Sequence, residues 1–178
     1  ANGVLNVIGT ALVPKVNAWE YLMSTNTLQK QVLSQYTYTY RDLNKAVQTG
    51  VDPATGEPVY EPGTGFVTSN SYRDALFRDA NGMISRRHDI NNEDSLFTYI
   101  VLTDAAFMAE KNKLERYYAA GDSTDSITNL NVVKDLVFHG LLNKDNFPQS
   151  VYSAGDSVRF HLKAGAVVET HRVSNGIV

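Results

Sequence analysis

The chain has 178 residues, 43% hydrophobic and 20% charged, with a formal net charge of −3. That composition excludes a wholly disordered, collagenous or coiled-coil chain, and it argues against a generic nucleic-acid binder, which needs a basic footprint to neutralise phosphates. The absence of cysteine removes disulfides, thiolate metal sites and cysteine nucleophiles, and no apolar run approaches the roughly 18 residues of a membrane span.

Residues 3–13 are rich in Val, Ile and Leu and read as a strand that Pro14 ends. A helix comes next. Asn17 and Glu20 have the spacing of a capping box, and Val16 and Tyr21 that of a hydrophobic staple. Trp19, Leu22 and Met23 share its buried face, and Leu28, Val32 and Leu33 continue the stripe after a polar gap. Trp19 reads as core rather than as a ligand platform. Residues 36–40 alternate tyrosine and threonine and predict a short strand with one half-buried tyrosine face.

From about residue 45 to residue 94 the texture changes. Asp52-Pro53-Ala54-Thr55-Gly56 and Glu61-Pro62-Gly63-Thr64-Gly65 are dense in turn formers. This reads as a long decorated insertion, with a short helix at 72–78 and a turn at 79–82. The basic cluster Arg86-Arg87-His88 reads as a solvated loop. Long insertions on a compact scaffold often carry binding.

Residues 96–102 form an unbroken apolar and aromatic run, which predicts a central strand buried on both faces. Thr103 or Asp104 then caps a helix that places Phe107, Leu114, Tyr117 and Tyr118 on one side and ends at Gly121. Asn131 is expected to cap the next helix, burying Val132, Val133, Leu136 and Val137. Val158, Phe160 and Leu162 alternate as a strand. Lys163-Ala164-Gly165 makes a turn, and residues 166–173 pair back. Helices first, then strand, helices and a strand-rich end predict an α+β domain.

Chemistry-bearing motifs are sparse. His88, His139, His161 and His171 show no metal-ligand spacing, although His161 and His171 would face each other across the terminal hairpin. The oxygen-rich stretches at 91–94 and 122–125 lack calcium-loop spacing. There is no Gly-x-Ser-x-Gly elbow, phosphate-binding loop or dinucleotide fingerprint. A glycosidase-type carboxylate pair can come from anywhere in a chain, and nothing raises one above background. No catalytic residue, metal or cofactor is expected.

A family resemblance adds to this. Leu96-Phe97-Thr98-Tyr99-Ile100-Val101-Leu102-Thr103-Asp104-Ala105-Ala106-Phe107 resembles the first signature of the fasciclin domain, FTVFAPTDxAF. Val133-Lys134-Asp135-Leu136-Val137-Phe138-His139 is similar to the family's Tyr-His signature, with Phe for Tyr. The last signature, NGVIHVIDxVLLP, is matched at residues 2–14, and its first four residues recur as Asn175-Gly176-Ile177-Val178. Trp19-Glu20-Tyr21-Leu22 matches the opening helix. The match covers nearly all the chain except 45–94. Leu102 stands where the family has proline, and Asn6 and Gly9 where it has His and Asp.

The resemblance implies a fasciclin-like β-wedge or sandwich with flanking helices and a long insertion, similar to domains of Bacteroides-type surface lipoproteins. It implies a non-catalytic binding or cell-adhesion module, extracytoplasmic, at the cell surface, the outer membrane or in the periplasm. A lipid anchor upstream would fit. The expected partner is a protein or polysaccharide and not nucleic acid. Thr103 and Asp104 would satisfy free N–H groups at a helix start. His139, near a helix C-terminus, would donate to free carbonyls, and with Phe138 it marks the family's adhesion region. On the insertion, Tyr60, Phe66 and Tyr72 are candidate aromatic anchors. The alternative is a carbohydrate-binding accessory protein using Tyr36, Tyr38 and Tyr40. Residues 1–14 read as the terminal strand of a preceding repeat and 15–178 as the domain. Residues 3–13 are expected to fill a strand gap in the sheet, in cis or swapped from a neighbour.

Overall fold

A computed structural model describes residues 9, 13–74, 76–78, 84–86, 89–118, 121, 124–155 and 157–178. The expected strand at 3–13 lies outside the described residues except for Gly9 and Val13. Helix α1 (Ala18–Ser24) starts as the sequence predicts. The Asn17 side chain accepts from Glu20 N, and the Glu20 carboxylate accepts from Asn17 N. Ala18, Trp19 and Leu22 are buried. Val16 is exposed, and its carbonyl accepts from Ser174 N at 2.9 Å. The apolar stripe is split between two helices. Thr25 Oγ1 donates to Leu22 O and Thr27 Oγ1 accepts from Lys30 N, so α1 stops and α2 (Leu28–Ser34) starts afresh.

Next come β1 (Thr37–Arg41), β2 (Gln48–Val51), β3 (Pro58–Tyr60) and β4 (Phe66–Asn70). β1 pairs antiparallel with β4, and β2 with β3. The second pair is nested inside the first, so residues 37–70 run out and back as one long β-arm. The arm starts well before the expected boundary at 45 and includes the tyrosine strand. Tyr72–Arg78 is not a helix. The Asn70 carbonyl oxygen of the side chain accepts from Tyr72 N and Arg73 N, turning the chain, and β5 (Leu76–Arg78) pairs antiparallel with β6 (Ile84–Arg86). The expected turn at 79–82 lies outside the described residues.

Strand β7 (Phe97–Tyr99) is buried at all three positions, but it is shorter than the expected 96–102: Leu96 is exposed, and Ile100, Val101 and Leu102 lie past its end and are only partly buried. Helix α3 (Asp104–Glu115) begins at Thr103 and ends before Gly121. Phe107 is buried and Leu114 packs partly against the core, but Tyr117 is 83% exposed and Tyr118 is also exposed. Both tyrosines lie past the helix end, so its periodicity no longer aims them inward. Helix α4 (Thr124–Val133) contains Asn131 in its last turn, so Asn131 is not a cap. Leu136 and Val137 are buried beyond that helix, Val137 within β8 (Val137–His139).

The end of the chain departs from the expected hairpin. β9 (Val151–Tyr152) pairs with β10 (Arg159–Phe160), and residues 164–166 form a 3-10 turn. β11 (Arg172–Val173) pairs instead with β12 (Gly176–Ile177) across a two-residue turn. β12 runs parallel to β7, giving the sheet order β11-β12-β7-β8. Short local pairings win here because each tight turn closes a small loop. Against this sheet the two N-terminal helices, α3 and α4 bury a core that includes Leu22, Leu33, Phe97, Tyr99, Phe107, Val133 and Val137. The described residues are thus a mixture of four α-helices and several small sheets.

One junction ties these layers together. Asn175 is fully buried. Its side chain accepts from Ala18 N at 2.8 Å and donates to Ile90 O at 2.9 Å and Asn92 O at 3.0 Å. Gly176 comes next with φ +153°, and a Cβ there would overlap the Phe97 carbonyl. Only glycine lets β12 approach β7 this closely.

Candidate functional site

Two surfaces stand out. The first is the arm. Its strands pair only in twos among the described residues, so each pair has two outer edges. Gly65 fixes the joint between the pairs. It has φ +78°, and a Cβ there would lie 2.7 Å from both Ala46 Cβ and Asp42 O. Asp42 N donates to Gly65 O and Glu61 N to Val47 O, each at 2.8 Å, carrying the pairing across the joint. The tip is a turn in which the Asp52 side chain accepts from Ala54 N and Gly56 takes φ +74°.

The arm presents apolar and aromatic groups to solvent. Phe66 is 60% exposed, Val51 57% and Val47 53%, with Tyr40 and Val59 also exposed. The Arg41 guanidinium sits 5.4 Å above the Tyr60 ring. Tyr38 and Tyr40, on one face, have ring centroids 5.9 Å apart. Aromatic, aliphatic and arginine side chains grouped in this way are the chemistry of protein-binding surfaces. The free strand edges add backbone donors and acceptors that an incoming strand can pair with.

The second surface is a groove of about 420 Å³ beside the sheet. Tyr99, Ile100, Val101 and Leu102 line it, as do residues 166–171 and Ile177 and Val178. Gln29 builds the first wall. This buried amide donates to Tyr99 Oη at 2.9 Å and Ile100 O at 3.1 Å, and accepts from Leu102 N at 2.8 Å. The Tyr99 phenol is pushed up to about 12, chiefly by burial. Tyr21 and His171 stack in the groove with ring centroids 4.7 Å apart. Burial, and secondly the Glu169 carboxylate, raise the Tyr21 phenol. The lining is mainly apolar, which suits an extended apolar segment.

The residues singled out in the sequence fall in different places. Tyr60 and Phe66 are both on the arm. Tyr72 is not an anchor. It is buried, its hydroxyl donates to Val133 O at 3.0 Å, and its phenol is held well above the ordinary value by burial first and by neighbouring Tyr99 second. Thr103 caps its own helix by accepting from Ala106 N, while Asp104 accepts from Leu28 N at 2.8 Å and caps α2 instead. Phe138 is buried edge-on against Phe160, with centroids 5.3 Å apart. His139 is exposed in β8, 5.7 Å from the Phe97 ring. It lies in a strand, not at a helix C-terminus, so no helix carbonyls are there for it to bond. His161 and His171 do not face each other. His161 Nδ1 lies 2.8 Å from Gln149 O, whereas His171 exchanges backbone hydrogen bonds with Val178. Among the described residues no cluster of His, Asp or Glu is placed to hold a metal ion, and no helix is long and apolar enough to cross a membrane.

Sequence reasoning misses Arg41, the exposed valines of the arm and the groove wall at 166–171. The pairing of Arg41 with Phe66 is a long-range register that no local pattern encodes. No family model, curated protein or solved structure matches the chain.

Proposed function

We propose that the protein is a non-catalytic binding module of the fasciclin type, working at an extracytoplasmic surface and engaging a protein partner through the β-arm at 37–70. The observation that carries this reading is the arm itself. It exposes Tyr40, Val51, Val59 and Phe66 on its strands and Val47 just before β2, and these strands contribute little to the core. Such a surface costs solubility unless a partner covers it. The fasciclin part of the reading rests on the resemblance of residues 96–107, whose strand and capped helix are β7 and α3.

The arm can be tested by shortening. Replacing residues 43–64 with Asn-Gly closes β1 onto β4 at the Asp42–Gly65 joint. It leaves Asn70, whose side chain donates to Leu33 O at 2.8 Å inside the protein. Beads coated with the protein should be retained on at least one of a panel of immobilised extracellular proteins, and shortened-arm beads should not. Equal retention of the two would exclude residues 43–64 from the contact surface. A second reading, carbohydrate binding, is favoured by the adjacent Tyr38 and Tyr40 rings. A glycan array whose signal disappears in the Tyr38/Tyr40 double alanine variant would select it over a protein partner.

A further inference from the structure

Sheets commonly guard their outer strands with proline, charge or a bulge. In the arm, β3 carries Pro58, and β2 is broken by a bulge between Gln48 and Gly50. β4 leads into a turn where Asn70 O accepts from Asp74 N at 3.0 Å. β1 has none of these guards. Residues 36–40 read Tyr-Thr-Tyr-Thr-Tyr, without charge, proline or glycine.

The register fixes which groups this edge offers. Asp42 N donates to Gly65 O at 2.8 Å and Ser71 N to Tyr36 O at 3.0 Å. Hydrogen-bonded and non-hydrogen-bonded pairs alternate along an antiparallel ladder. Tyr36, Tyr38, Tyr40 and Asp42 therefore turn their backbone groups toward β4, and Thr37, Thr39 and Arg41 turn theirs outward. The Thr39 and Thr68 hydroxyl oxygens are 3.5 Å apart, the close approach of a non-hydrogen-bonded pair. Thr37, Thr39 and Arg41 are exposed, and among the described residues their N–H and C=O groups have no backbone partner.

That edge is complementary to itself. Turned about a two-fold axis at Thr39, β1 meets a second β1 antiparallel, with Thr39 opposite its counterpart and Thr37 opposite Arg41. Every outward N–H then finds an outward C=O. Tyr38 falls opposite Tyr40 in the non-hydrogen-bonded positions, where side chains pack closest, and this extends the ring contact of 5.9 Å within each copy. Arg41, the only charge on the strand, faces a threonine, so no like charges meet.

We propose that two copies of the chain join edge to edge through β1, forming a continuous β4-β1-β1-β4 sheet. The pairing does not rest on the partner reading of the arm. Phe66 pairs with Arg41 and so lies on the face opposite Tyr38 and Tyr40, outside the tyrosine contact.

The test is sedimentation velocity of the full chain over a concentration series, which should show a monomer–dimer equilibrium. Thr39→Pro removes the central outward N–H while sparing the bonds to β4, and it should weaken the dimer at least tenfold. Thr68→Pro makes the same change on the outer side of β4 and loses the same hydroxyl contact, yet should dimerise like wild type. Circular dichroism checks that each variant folds. Because the chain has no cysteine, single cysteines give a second readout. Across the axis the Thr39 Cα atoms are about 5.5 Å apart, within disulfide reach, whereas the two Arg41 positions are about 13 Å apart along the strands. Thr39→Cys should cross-link under mild oxidation, and Arg41→Cys should not. A chain that stays monomeric at every concentration, equal dimerisation of the two proline variants, or equal cross-linking of the two cysteine variants would each overturn the proposal.

Discussion

Asn175→Ala is the sharpest probe of how the layers are joined. Asn175 has no exposed surface, and its amide is the partner of Ala18 N, Ile90 O and Asn92 O. Alanine removes all three bonds and leaves no polar replacement. An unsatisfied buried group costs about 1–3 kcal/mol, and the two carbonyls can be partly relieved by other donors. A loss of about 3–5 kcal/mol is therefore expected, a large share of the roughly 5–15 kcal/mol that holds a domain together. At this chain length each kcal/mol moves Tm by about 2–4 °C, so Tm should fall by about 6–20 °C. Urea unfolding followed by circular dichroism gives the free energy, and a thermal scan gives Tm. Asn175→Asp serves as a control. It keeps the acceptor for Ala18 N but turns a carboxylate toward two carbonyl oxygens, and at neutral pH it should be at least as damaging. A loss under about 1 kcal/mol for Asn175→Ala would refute the assignment of this residue as the junction.

Three further outcomes are expected. Gln29→Leu should cost about 2–4 kcal/mol by orphaning Leu102 N inside the groove wall. In hydrogen exchange that amide should lose protection at least tenfold, and unchanged protection would contradict the role given to Gln29. Gly65→Val should strain the arm joint, costing about 1–3 kcal/mol at its positive φ, and should raise amide exchange across 42–47 and 61–65 without disturbing β7. Stability should also depend on alkaline pH through Tyr99 and Tyr72, whose neutral forms the fold favours. Unfolded phenols ionise near pH 10, so the stabilisation is intact below that; Tyr99's share falls as pH climbs from about 10 toward about 12, by about 1.4 kcal/mol per pH unit, and Tyr72 acts in the same direction. Tyr99→Phe should flatten the slope of stability against pH by about one proton, and an unchanged slope would mean that Tyr99 titrates normally.

Much of the scaffold is legible because its signals are local. The Asn17–Glu20 box and the Thr103 cap each act within a few residues and are where the sequence puts them, and the apolar run at 96–102 supplies a buried strand at its centre, 97–99. The misreadings have a common cause. Residues 72–78 have helical composition, but Asn70 turns the chain and β6 offers Leu76–Arg78 a strand partner. The tail at 158–173 alternates convincingly, but its strands take other partners, β9 and β12. Tyr72 resembles a surface anchor in sequence because aromatic side chains serve both roles. The hydroxyl's bond to Val133 O, 61 positions away, makes it core. The arm shows in the sequence only as two clusters of turn formers, since its nested register depends on pairings across up to 33 positions.

The central claim is that the arm is the contact surface. The direct measurement compares bead retention on immobilised extracellular proteins for wild type and a Tyr40→Ser/Phe66→Ser double variant. Both side chains are exposed, and the backbone pairs these residues make, Tyr40 with Val67 and Phe66 with Arg41, do not use them. The variant should keep wild-type Tm within about 3 °C, because surface changes are usually worth less than about 0.5 kcal/mol each, and it should lose at least tenfold in retention. Full retention by a folded double variant would contradict the central claim.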